Sequence, residues 1–273
     1  MKKTALVSGL LALVLGLTAC GGQSGSGGGN AGPALFGDVQ ELVRAASAKT
    51  GQAQSAKFTI SGSIAGQQMT GSGEGRFTDG DSAMAVTMTV GGQMQEMRVV
   101  DKVMYLKLPE EAQAATGGKP WATFPAGSEA AKALGASLEQ AESNDPSKTL
   151  EQIQKAGRID RSEQTTLDGQ QVSHYWVTIE VAKAADELAA SGLPAETLAQ
   201  LKSMNVTYPV ELWLNGDQLP VQVTQDLSPV MKAVGAPADA QQASITMKYS
   251  DWGTPVTVEA PPADQVGEFK IGG

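Results

Sequence analysis

The chain has 273 residues, a formal charge of −9, one cysteine, one histidine, 5% aromatic residues, 32 glycines and 10 methionines. A zinc site built from Cys and His ligands is excluded by that inventory, and so is a disulfide within one chain. An acidic chain is repelled by nucleic acid and by anionic lipid headgroups, so no nucleic-acid partner is expected and any membrane attachment must come from something other than charge.

Lys2 and Lys3 open the chain, an apolar run follows from Ala5 to Leu17, and small residues lead to Cys20. A charged start, a short apolar stretch and a small-residue cleavage site make an export signal over residues 1–19. The apolar run falls short of the roughly 20 residues that span a bilayer. Leu17-Thr18-Ala19-Cys20 resembles the lipobox of bacterial lipoproteins. That resemblance implies a diacylglycerol on the Cys20 thiol and a lipid-anchored protein on the extracytoplasmic face of the cell membrane. Two acyl chains suffice for stable anchoring. Loss of Lys2 and Lys3 leaves 18 basic residues against 29 acidic ones. Residues 20–33, glycine- and serine-rich after the cysteine, read as a flexible tether of about 20 Å reach.

A helix is expected over 35–49, where Leu35, Phe36, Val39, Leu42, Val43 and Ala46 share one face and Gly51 is a plausible stop. From residue 56 the period changes to two. Phe58, Ile60 and Ile64 alternate with polar residues; Met69, Gly71, Gly73, Gly75 and Phe77 follow in alternate places. Met84, Val86, Met88 and Val90 alternate up to Gly91-Gly92. Met97 and Val99, then Met104, Leu106 and Leu108, complete an antiparallel meander with one apolar face. Residues 109–125 read as a loop. Residues 128–157 read as two helical pieces, one marked by Leu134 and Leu138, the other starting at Asp145-Pro146 and marked by Leu150 and Ile153.

Strands resume near 158. Asp168-Gly169 is a hairpin signal, after which Tyr175, Val177 and Ile179 take one face and His174 and Trp176 the other. Residues 182–204 read as helical with a break at Gly192-Leu193-Pro194. Val210, Leu212 and Leu214 lead to a second hairpin signal at Asn215-Gly216, and Val221 and Val223 return. Residues 228–241 read as irregular or helical. Ile245 and Met247 mark another strand, Val256 and Val258 a last one, and the chain from Pro261 reads as loosely held, with a flexible tail over 267–273. The expected architecture is α+β: one domain over 34–266, a curved antiparallel sheet of about ten strands whose helices cover the concave face, a half-open barrel.

Tyr105-Leu106-Lys107-Leu108 with Gly118-Lys119-Pro120-Trp121, Leu167-Asp168-Gly169-Gln170 running into His174-Tyr175, Glu211-Leu212-Trp213-Leu214 with Leu219-Pro220-Val221, and Tyr249-Ser250-Asp251-Trp252-Gly253 together resemble the LppX/LprG lipoproteins of actinobacteria, over most of residues 35–266. The resemblance implies a LolA/LolB-like half-barrel that binds or carries a lipid or lipid-linked glycan in an apolar cavity; the residue inventory itself leads to the expectation of no cofactor and no enzymatic chemistry.

Six methionines lie between residues 69 and 104. Unbranched, polarizable side chains adapt to ligands of varied shape, and Gly71, Gly73 and Gly75 would leave space beside them. The competing reading is a Met-rich core with glycines serving sheet curvature. The expected ligand-lining set is Phe58, Ile60, Met84, Val86, Met88, Met97, Val99, Met104, Leu106, Tyr175, Val177, Ile179, Val210, Leu212, Leu214, Val221, Val223, Ile245 and Met247. A protein-binding envelope scaffold or sensor with a filled core is the alternative. Catalysis is not expected: His174, the one available base for a serine triad, falls within a strand pattern.

Overall fold

The computed structural model describes residues 35–64, 66–78, 81–101, 103–124, 146–184, 195–203 and 205–269. Cys20, the tether, the helical piece with Leu134 and Leu138, and the Gly192-Leu193-Pro194 break lie outside the described residues. The described residues fall within one compact unit, Gly32–Gly273.

Helix α1 (Val39–Ala53) starts later than its apolar spacing predicts because Asp38 caps it: Oδ1 accepts from the backbone N–H of Gln40 and Glu41 at 2.8 and 3.1 Å. It also runs through Gly51 and stops where Gln54 turns left-handed at φ 62°. The meander follows as β1 (Ser55–Ile64), β2 (Gln67–Thr78), β3 (Asp81–Val90), β4 (Gln93–Val100) and β5 (Val103–Lys107). The expected loop beyond it holds a 3-10 turn (Glu110–Thr116) and a sixth strand, β6 (Trp121–Thr123). Next come α2 (Pro146–Ala156), β7 (Gly157–Leu167), β8 (Gln170–Glu180), α3 (Ala195–Ser203), β9 (Thr207–Leu214), β10 (Pro220–Asp226), α4 (Ser228–Ala233), β11 (Ser244–Ser250) and β12 (Val266–Glu268).

The protein is α+β with one large, mostly antiparallel sheet, as expected, but the sheet has 12 strands, not ten, in the order β12-β6-β5-β4-β3-β2-β1-β11-β10-β9-β8-β7. It is open, with β12 and β7 at its two ends. Two differences concern the C-terminal region. Val256 and Val258 form no strand; residues 254–262 have no regular secondary structure and no ladder pairing. The region from Pro261, expected to be loose, is tied down: Pro261 is buried, β12 pairs in parallel with β6, and the Phe269 N–H donates to the Thr123 carbonyl at 3.0 Å. The period-2 pattern could not show this, because three residues are too few to display alternation.

Turn chemistry accounts for the hairpins. Asp168 and Gly169 have φ 51° and 83°, and Gly91 and Gly92 have 57° and 84°, the paired positive values of a two-residue turn whose twist matches the strands. Asn215-Gly216 works differently. Gly216 has no positive φ; the Asn215 Oδ1 instead accepts from the N–H of Asp217 and Leu219, and Gln218 takes the left-handed position at 66°. The hairpin exists, but its loop is longer than the dipeptide predicts.

The ladders sort every strand into two faces. The inner face carries the apolar set. α1 and α2 pack on each other and against β7 and β8, and α4 packs on β9. Leu42, Ala46, Leu150 and Ile153 from the helices are at most 1% exposed, as are Tyr175, Val177, Ile179, Val210, Leu212 and Leu214 beneath them. Each such aliphatic side chain contributes about 1.5–3 kcal/mol by leaving water.

Candidate functional site

The expected ligand-lining residues divide into three groups. Tyr175, Val177, Ile179, Val210, Leu212 and Leu214 are interior to the protein, sealed by its own helices, and offer no apolar surface to a ligand. The Tyr175 hydroxyl accepts from the Phe36 N–H at 3.0 Å and so fixes the chain entering α1, while burial raises the phenol above its ordinary pKa. Phe58, Ile60, Met84, Val86, Met104, Val223 and Met247 are also buried, at 2–7% exposure. Met88, Met97, Val99, Leu106, Val221 and Ile245 remain half-buried. Val221 owes this to a bulge, since β10 shifts register against β9 between Pro220 and Gln222.

Register brings most of the third group together. Val86 lies opposite Met97, which lies opposite Leu106; Met84 lies opposite Val99, which lies opposite Met104. Met88, two residues from Val86, extends the same face. Of the six expected methionines, Met69, Met84, Met88, Met97 and Met104 share the inner face; Met94 does not, lying on the outer face at the hairpin tip and 76% exposed.

The glycines do not leave the void expected of them. A Cβ on Gly73 would meet Phe58 Cζ at 2.5 Å, one on Gly75 would meet Phe77 Cε1 at 2.7 Å, and one on Gly71 would meet Met88 Cγ at 2.9 Å. Three larger side chains of the protein lie across the bare backbone, so the glycines serve close packing within the sheet.

The outer face carries a feature that strand alternation places but does not explain. His174 stacks between Trp213 (ring centroids 4.0 Å apart, 14° between planes) and Trp176 (3.5 Å, 40°). Its Nε2 is 2.8 Å from Glu211 Oε2, and the Arg161 guanidinium lies over the other ring of the set, 4.3 Å from Trp176. Burial pushes the imidazole below its ordinary pKa, with Arg161 acting in the same direction and Glu211 and Glu163 opposing. A histidine held between two indoles and a carboxylate is a packing element. Among the described residues no group of three or more His, Cys, Asp or Glu side chains could hold a metal ion, and no helix is long and apolar enough to cross a membrane.

A second outer-face feature lies at the other end. Arg98 sits 4.8 Å over the buried Trp121 ring, with Lys107 at 5.7 Å. Glu96 bonds both cations, at 3.1 Å to Arg98 and 2.8 Å to Lys107; burial pushes its carboxyl up, but these two partners outweigh that and hold it below the usual range. No periodicity rule flags such a cluster; the cross-strand register of β4, β5 and β6 creates it.

The structure thus shows an open, mostly antiparallel sheet with helices against one face. In structure, the chain is similar to LprF from Mycobacterium bovis: 15% identity, TM-score 0.48, covering 84% of this chain and 99% of that one. MucB matches at 15% identity and TM-score 0.38 over 86% of this chain, which spans 63% of the MucB chain; MucB has also been solved in complex with MucA(peri). In sequence, the chain is 28% identical over 247 residues to an uncharacterized 31.2 kDa protein of Streptomyces griseus encoded in the rplA-rplJ intergenic region, covering 81% of this chain and 76% of that protein. No family model matches.

Proposed function

We propose that this protein is a lipoprotein anchored through Cys20 to the extracytoplasmic face of the cell membrane, and that it binds or carries an acyl-chain ligand on the inner face of β3, β4 and β5. One observation carries the reading: the half-buried run of Met88, Met97, Val99 and Leu106, adjacent by register on a face whose other half is closed by α1 and α2. Each methylene leaving water there contributes about 0.8 kcal/mol, so a long chain binds without a specific polar contact. Thioethers suit such a ligand because they repack around differing shapes. The mechanism is burial and release, with no bond made or broken.

The test is native mass spectrometry of the full chain after mild detergent extraction. Co-purifying acyl lipid, lost in Met97→Glu with the fold intact, is the expected result. A lipid-free protein that also takes up no added phospholipid would sink the reading. Anchoring is checked separately: Cys20→Ala moves the protein out of the membrane fraction. A second reading, a protein-binding module with a filled core, is favoured by Phe58, Phe77 and Met88 occupying the space over the glycines. A lipid-free protein that captures one stoichiometric envelope protein would select it.

A further inference from the structure

Residues 254–262 leave the end of β11 and run across the outer face toward β12 at the sheet's edge. Their start is held by the Ser55 hydroxyl, which donates to the Thr254 carbonyl at 2.8 Å, and their middle by Arg98, whose Nη1 donates to the Glu259 carbonyl at 3.2 Å. Val258 is tucked under, 5% exposed. Thr257, Val258 and Glu259 thereby roof a cavity of about 600 Å³ over β1 to β4, within the size range of small-molecule sites. Register explains the hollow. Ser250, Lys57, Glu74, Ala85 and Arg98 form one row across five strands, and Ala85 is the short member among long neighbours. Thr59, Ser72, Thr87 and Glu96 form the parallel row beside it.

The chemistry on offer is specific. Lys57 is paired with Asp251 at 3.5 Å, and Arg98 is committed to Glu96 and to the Glu259 carbonyl. Glu74 has no ion-pair partner among the described residues. The hydroxyls of Thr59, Ser72, Thr87, Ser250 and Thr257 likewise make no hydrogen bond to the described protein. An anion entering here finds no unpaired cation and meets the Glu74 carboxylate. A metal ion finds no cluster of three His, Cys, Asp or Glu ligands among the described residues. Groups that both donate and accept, set around the acceptor carboxylates of Glu74 and Glu259 with apolar contact from Val258 and Ala85, match a molecule whose own groups both donate and accept while its C–H face is apolar.

We propose that this cavity binds a neutral sugar, with Glu74 as principal acceptor and the Ser/Thr hydroxyls as the surrounding partners. The site lies on the opposite face from the acyl-chain surface and stands or falls independently of it. The test is saturation-transfer difference NMR on the full chain in detergent micelles, with methyl α-mannoside, methyl α-glucoside, maltose and trehalose as neutral probes and mannose 6-phosphate as the anionic arm. At least one neutral probe is expected to bind, with its Kd raised tenfold or more by Ala85→Arg and several-fold by Glu74→Gln. Thr257→Arg, on the strap and outside the ladder, fills the same space without touching strand packing and serves if Ala85→Arg does not fold. Lipid uptake is unchanged in all three variants. Binding to none of the neutral probes, tighter binding of the phosphate than of the neutral sugars, or full binding in Thr257→Arg would overturn the assignment.

Discussion

The two halves of the inner face solve the same problem with different residues. Over β7, β8 and β9 the sheet presents Val177, Ile179, Val210, Leu212 and Leu214, and α1 and α2 return Leu42, Leu150 and Ile153. Branched side chains with few rotamers interdigitate there until none of those eight is more than 1% exposed. Over β2 to β5 the sheet presents methionines and a row of glycines, and Met88, Met97, Val99 and Leu106 stay half-buried. The first half is specified by shape. The second is filled by adaptable groups, which is what a surface needs if its apolar partner comes and goes.

Truncations should separate the halves most clearly. Leu42→Ala removes a fully buried side chain from the sealed half and should cost about 2–5 kcal/mol in urea unfolding. Gly73→Ala should cost about 1–3 kcal/mol for the opposite reason, because the new methyl must displace the Phe58 ring or the Ala85 carbonyl. If Gly73→Ala were neutral, the glycine row would be open space after all, and a void beside the sheet would return as the better description. Met97→Leu conserves volume and should change stability by less than about 1.5 kcal/mol, while a branched replacement in an adaptable surface narrows the range of acyl lipids taken up. Equal losses for Leu42→Ala and a Met97→Ala control would erase the distinction between the halves.

Much of this contrast is legible in the sequence, because period-2 alternation assigns faces and the Asp168-Gly169 and Gly91-Gly92 turns fix the pairing of their strands. Phe58 opposite Gly73 follows once β1 and β2 are paired. What alternation cannot give is occupancy. Tyr175 and Met97 both read as inner-face residues, yet one is closed off by α1 and α2 and the other is not, a difference made by α1, more than a hundred residues before Tyr175, and by α2, the helix that leads into β7. Asn215-Gly216 reads as a tight turn but is a longer loop, since the Asn side chain satisfies the backbone groups a tight turn would pair. The outer-face cavity is the least legible feature: it needs a short Ala85 between long neighbours brought together from separate strands, and a C-terminal segment whose course no local pattern announces.

The smallest effect tests whether the sealed half is also guarded from its outer side. His174 sits on the reverse of the strand that carries Tyr175 and Val177, and burial keeps its imidazole below the ordinary histidine value against the pull of Glu211 on β9 and Glu163 on β7, with Arg161 on β7 reinforcing burial. A depressed folded-state value means the unfolded chain takes up its proton first. Stability contributed by the neutral ring is therefore complete above the unfolded value of about 6.5 and falls away as pH drops through the interval down to the folded value. Urea midpoints measured across that interval should fall with pH in the wild type more steeply than in His174→Gln, which cannot titrate. Because Glu211 is 2.8 Å away, the opposite slope is a real outcome: a midpoint that rises on acidification would show that the imidazolium, held between two indole faces and paired with Glu211, is the favoured form, and that the outer side of the sealed half is built to tighten in acid.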